Sequence, residues 1–157
     1  MKLRRFGILA ALCATFALPL AACGDDDDNS GGGTPTLTVD RAFVPTPAGA
    51  NGALYFEIAN EGDGADHLIG ATTSAAESAQ LHQTTTSDDG LMGMTPVDDL
   101  EIPAGESVSF EPGGLHVMLM GVDALEDGDT IEVDLEFQET GIVTVEAEVG
   151  PYDDDQR

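Results

Sequence analysis

Beyond residue 23 the chain has no cysteine; Cys13 and Cys23 are its only two. The remainder therefore holds no disulfide, no thiolate metal site and no cysteine nucleophile. A blue-copper electron carrier, which needs a thiolate, is excluded with them. Basic residues are almost as scarce. Three of the five (Lys2, Arg4, Arg5) precede Cys23, which leaves Arg41 and Arg157 against 30 acidic residues, a net charge of −28. With no basic footprint, nucleic-acid binding is excluded. Nor is there a long stretch of helical periodicity, an internal repeat, a phosphate-cradling loop or a nucleophile–base constellation, so no enzyme is expected.

What is present begins with an export signal. Lys2, Arg4 and Arg5 form a basic start, and Phe6 to Leu20 is a mostly apolar run of 15 residues, short for a membrane span. Leu20-Ala21-Ala22-Cys23 then resembles a bacterial lipobox. This predicts a signal peptide over 1–22, with Cys23 as the lipidated first mature residue. The Arg4-Arg5 pair lacks the flanking residues of twin-arginine export. The expected location is extracytoplasmic, lipid-anchored to the cell membrane, on its periplasmic or outer face.

Residues 23–35 carry Asp25 to Asp28 and a Gly-rich run, a self-repelling flexible tether. The aspartates lack the spaced ligands and closing Glu of a calcium loop. Residues 36–150 have the length of one domain, and 151–157 form an acidic tail. Within the domain, short apolar or alternating runs are separated by Gly, Pro, Asp and Asn. They predict strands at 37–44, 52–59, 67–73, 79–85, 92–97, 107–110, 116–122, 130–137 and 142–149. Alternation is clearest from Ile131 to Phe137, whose odd positions face inward. Many short strands at regular spacing predict an all-β sandwich or barrel.

Two of the three histidines and all four methionines after Met1 fall into two stretches: His82 with Met92 and Met94, and His116-Val117-Met118 with Met120. Imidazole with thioether is the donor pair that suits copper, Cu(I) above all. A thioether binds without losing a proton, and methionine serving as core filler would be scattered. Alternate residues of a strand share a face, so His116, Met118 and Met120 point one way while Leu115, Val117 and Leu119 point into the core. Ser87-Asp88-Asp89-Gly90 reads as a turn in which Gly90 takes positive φ, folding Met92 and Met94 back beside His82. His82 with one of these methionines, and His116 with Met118, make a two-His, two-Met set. Met92 is a solvent-edge residue or an auxiliary ligand, Met120 packing or an auxiliary ligand. His67 stands apart and reads as an exposed or hydrogen-bonded histidine.

These stretches resemble the periplasmic copper chaperone PCuAC family. Twenty-one residues separate Met94 from His116-Val117-Met118, as in that family; eleven separate His82 from Met94, one more than in the family. The extra residue falls in the turn, where a bulge absorbs it. Gly52-Ala53-Leu54-Tyr55, Glu101-Ile102-Pro103-Ala104-Gly105 and Pro112 to Met120 match as well. The resemblance implies a cupredoxin-like Greek-key sandwich or barrel with a Cu(I) site of His82, Met94, His116 and Met118. It implies a metallochaperone delivering copper toward cytochrome c oxidase, with the oxidase copper subunit or a Sco-type copper protein as partner. A copper-buffering lipoprotein and a cation-dependent β-sandwich interaction module are the alternatives.

Overall fold

The computed structural model describes residues 33–87 and 89–152, and every regular element among them is a strand. The ten are β1 (Leu37–Pro45), β2 (Asn51–Asn60), β3 (Asp66–Thr73), β4 (Ala76–Thr86), β5 (Met92–Pro96), β6 (Leu100–Ile102), β7 (Ser107–Phe110), β8 (Leu115–Val122), β9 (Thr130–Phe137) and β10 (Gly141–Gly150). The all-β expectation holds. The short β6 is additional: too brief to show alternation in the sequence, it exists through its pairing with Asp66, His67 and Leu68. The signal peptide, Cys23, most of the tether, Asp88 and residues 153–157 lie outside the described residues.

The strands join in the order β5-β4-β8-β7-β2-β1-β10-β9-β3-β6, with β8 also paired to β2. β3 and β4 stand far apart in that order, yet only Ser74 and Ala75 separate them in the chain. The sheet must therefore roll until its two halves face each other, and the core fills the space between. Ile131, Val133, Leu135 and Phe137 all turn inward, as their alternation predicts, and meet Leu54, Ile58, Leu68, Val117 and Leu119 in one apolar cluster. Burying each such side chain contributes about 1.5–3 kcal/mol. β1 closes the fold by running parallel to β10, Val44 beside Val149.

β7 and β8 act as one interrupted strand. Ser107 to Phe110 pair with the far half of β2, Val117 to Met120 with its near half. The interruption is a tight loop over residues 111–114: Gly113 takes φ 83°, Glu111 N–H donates to Leu115 O (2.8 Å) and Gly114 N–H to Glu111 O (2.9 Å). This loop fixes where His116 begins its run along β4.

Two buried polar residues hold the connections. Asn60 Nδ2 donates to Gly64 O and Ile102 O, while its Oδ1 accepts from the N–H groups of Thr36 and Gly62. Asp66, fully buried, receives the N–H groups of His67 (2.7 Å), Glu139 (2.9 Å) and Thr140 (2.9 Å), and so ties the β9–β10 turn to the start of β3. Burial pushes its pKa up. Hydrogen bonds from the Thr140 hydroxyl and the three N–H groups outweigh this and hold it below the ordinary value.

Asp66→Ala strands three donors and should cost roughly 2–4 kcal/mol in denaturant unfolding at neutral pH. The folded pKa is depressed, so the contribution is present above the unfolded value near ~3.9 and is lost as pH falls through the folded one. The stability gap between wild type and Asp66→Ala should therefore narrow in that acid range. A gap independent of pH would contradict this account.

Candidate metal centre

β4 and β8 pair antiparallel with His82 directly opposite His116, Gln80 opposite Met118 and Ser78 opposite Met120. On its other side β4 pairs with β5, placing Thr84 opposite Met94 and Thr86 opposite Met92. Paired positions share a face. His82, His116, Met118, Met120, Met94 and Met92 therefore all project from one side of the sheet, while Leu81, Val117 and Leu119 enter the core from the other. The β4–β5 hairpin closes through Ser87 N–H to Leu91 O (2.8 Å), and Gly90 takes φ 77° as the turn reading expects.

The imidazoles lie edge to face, ring centroids 5.9 Å apart with planes at 63°. His116 is buried, with Tyr55 of β2 tilted against it at 6.4 Å. Its Nδ1 lies 3.3 Å from the carbonyl of Gly114, to which Nδ1–H can donate. The same carbonyl accepts Thr84 N–H, so the loop before β8 supports both strands. His82 Nε2 lies 3.3 Å from Gln80 Oε1. The other ring nitrogens, His82 Nδ1 and His116 Nε2, are buried without a hydrogen-bond partner. Buried polar atoms are seldom left so, and two at adjacent ring positions on paired strands mark a place for something else to bind.

Beside them opens a hollow of about 700 Å³, lined by His116, Met118, Met92, Met94, Tyr55, the end of β1 at Pro45 and residues 46–48 of the β1–β2 loop. Among the described residues, no Asp, Glu, Lys or Arg lines it. Met92 and Met94 form its lip, 72% and 58% exposed. His82 adjoins through the His116 ring rather than by lining the hollow, and Met120 lies further along β8, outside it. Among the described residues, no three His, Cys, Asp or Glu side chains gather as a metal cluster. A metal held here would take soft thioether donors together with the imidazoles. A second hollow of about 370 Å³ lies beyond Tyr55; its Arg41 and Glu57 are paired with each other, and it offers no such donors.

His67 lies on β3, which pairs with β6 and β9 rather than with the strands of this face. Its Nδ1 is hydrogen-bonded to Asp99 between β5 and β6, the satisfied histidine expected. Residues given no role in the sequence reading also shape the site: Tyr55, Gln80, the Gly114 carbonyl and the β1–β2 loop. Of these only Gln80 carries a local signal, its two-residue spacing from His82.

Known proteins resemble this chain in both sequence and fold. The family model described as "Putative lipoprotein LpqE-like" matches residues 37–149. "Putative lipoprotein Lxx21020" of Leifsonia xyli subsp. xyli is 38% identical over 104 residues, 66% of this chain and 63% of the relative, so the match spans under two thirds of that protein. The copper-bound PCuAC domain from PmoF2 superposes with TM-score 0.62 at 25% identity, covering 74% of this chain and 93% of that domain. The Cu(I) form of DR1885 from Deinococcus radiodurans gives TM-score 0.57 at 31% identity, covering 78% and 81%. The fold is thus that of the PCuAC domains, cupredoxin-like and all-β.

The histidines outside and inside the site should titrate in opposite directions. Burial, with the His82 ring adding, pushes the His116 pKa down against the pull of the Gly114 carbonyl. The hydrogen bond to Asp99 raises that of His67 against a small burial effect. In proton NMR of the metal-free chain, His116 should titrate below ~6.5 and His67 above it. By linkage, the His116 contribution to stability is complete above ~6.5 and declines as pH falls toward its folded value. That of His67 is complete below ~6.5 and declines as pH rises through its folded value. Reversed or coincident midpoints would contradict the burial and the Asp99 contact.

Proposed function

This chain belongs to the LpqE-like lipoprotein family, and from that membership and the site geometry we propose that it is an extracytoplasmic, lipid-anchored Cu(I) carrier. The observation that carries the reading is the pair of buried, partnerless nitrogens, His82 Nδ1 and His116 Nε2, with Met118 and Met94 on the same face. Copper is the cargo. His82, Met94, His116 and Met118 hold it, with Met92 as an auxiliary donor at the lip and Met120 as a more distant one. Two neutral imidazoles and two thioethers suit a soft monovalent ion. Zinc favours imidazole, thiolate and carboxylate, and calcium favours oxygen. The lack of carboxylates among the described residues lining the hollow supports this choice over a cation-dependent interaction module.

The copper-bound and Cu(I)-bound PCuAC structures support copper as the ligand, and the lipoprotein descriptions of the relatives support attachment through Cys23. Delivery is the finer part of the proposal. The exposed methionines at the lip leave the site open on one side, so an incoming ligand from a cytochrome c oxidase copper subunit or a Sco-type protein can enter as a thioether leaves. No bond of a substrate is made or broken in such a transfer, and the role is that of a chaperone rather than an enzyme. A buffering lipoprotein would share the site and differ only in lacking an acceptor.

Cu(I) titration against a competing chelator tests the site. His116→Ala and Met118→Ala should each weaken binding by at least ~100-fold, beyond the ~10–100-fold typical of a supporting residue, while His67→Ala changes it little. X-ray absorption should show nitrogen and sulfur donors together. Wild-type affinity in His116→Ala, or zinc bound as tightly as Cu(I), would overturn the reading. A loss in Met92→Ala with none in Met94→Ala would move the hairpin ligand to Met92.

Incubating the loaded chain with a copper-free oxidase copper domain, then separating the two for copper analysis, tests delivery. Copper should move to the oxidase domain. Full retention by the chain would leave the buffering role.

A further inference from the structure

The two imidazoles approach the site through different nitrogens, and each has its other nitrogen engaged by a different kind of group. For His116 the engaged atom is Nδ1, at the backbone carbonyl of Gly114, and the free atom is Nε2. For His82 the engaged atom is Nε2, at the side-chain oxygen of Gln80, and the free atom is Nδ1. A neutral imidazole carries one proton, and the hydrogen bond made by one nitrogen decides which nitrogen is bare. A proton on a buried nitrogen without an acceptor would cost the full desolvation of an N–H donor. The tautomers that avoid this cost carry their protons on the engaged nitrogens and present bare lone pairs at the buried ones.

We propose that Gln80 is the positioning residue of the metal centre: by accepting from His82 Nε2–H it fixes the tautomer in which Nδ1 is the ligating atom, so that copper is held by an unlike pair, His82 Nδ1 and His116 Nε2. This rests on the copper reading and deepens it. Gln80 occupies the one β4 position that shares the His82 face two residues back, directly opposite Met118. From there the amide reaches the outer edge of the His82 ring while the inner edge stays buried. The two supports differ in what mutation can do. The Gly114 carbonyl survives any side-chain change, whereas the hold on His82 is removed by changing Gln80. Supporting residues that orient a ligating histidine typically cost ~10–100-fold in metal affinity when removed.

Two-bond proton–nitrogen NMR of the metal-free, ¹⁵N-labelled chain reads the tautomers directly, at a pH where both rings are neutral. His82 should show the Nε2–H pattern and His116 the Nδ1–H pattern. Adding Cu(I) should shift His82 Nδ1 and His116 Nε2. Gln80→Leu should leave the amide spectrum of the folded chain in place, mix the His82 tautomers, leave His116 as it was, and weaken Cu(I) binding by about 10-fold. Gln80→Glu, which keeps an acceptor at that position, should restore both the tautomer and most of the affinity.

An Nδ1–H pattern for His82, a copper-induced shift at its Nε2, or an unchanged tautomer in folded Gln80→Leu would overturn the proposal. Should the tautomers follow Gln80 while wild type fails to bind Cu(I), the copper half falls and the hold of Gln80 on the ring stands. If wild type binds Cu(I) and Gln80→Leu binds it equally well, the positioning role falls and the copper carrier stands.

Discussion

The centre depends on the register between β4 and β8. Placing His82 opposite His116 puts both rings on the face away from the core. A slip of one residue would turn Leu81 or Val117 to solvent and drive an imidazole into the apolar cluster. The core therefore enforces the site: burial of Leu81, Val117 and Leu119 holds the strands where the imidazoles meet. The loop after β7 adds a second lock. It lets β7 and β8 share β2 as a common partner, and it delivers the Gly114 carbonyl to both Thr84 and His116.

Charge and ligand chemistry act at different ranges. The acidic residues form a heavily solvated surface whose charge is screened by salt. Among the described residues, none of those carboxylates lines the hollow. Any selectivity of the hollow therefore rests on the short-range chemistry of imidazole and thioether rather than on net charge.

Much of this is legible in the sequence, because strand alternation encodes face as well as element. Ile131 to Phe137 announces its inward positions, and His116-Val117-Met118 announces that a histidine and a methionine leave the core on the same side. The turn at Gly90 is readable because positive φ is a glycine property. Other features depend on partners distant in sequence. β6 is a strand only because Asp66 to Leu68 lie alongside it. The parallel join of β1 to β10 has no local signature. Gln80 shares a strand face with His82 by its spacing, but its contact with the ring shows only in the fold. Residues 46–48 of the β1–β2 loop become a wall of the hollow only because β2 pairs with β8, which has no local signature.

The strand β2 can serve as a ruler. At one end Asn60 pairs with Leu37, where the described N-terminal segment enters the domain and is pinned by the Asn60 amide. At the other end Asn51 and Ala53 border the hollow, with Tyr55 between the two ends. At about 3.3 Å per residue, the hollow begins roughly 15 Å from that entry and extends to about 30 Å. The described N-terminal entry and the methionine lip therefore lie toward opposite ends of β2. A molecule that reaches the lip thus approaches a part of the domain that the entering segment does not cover.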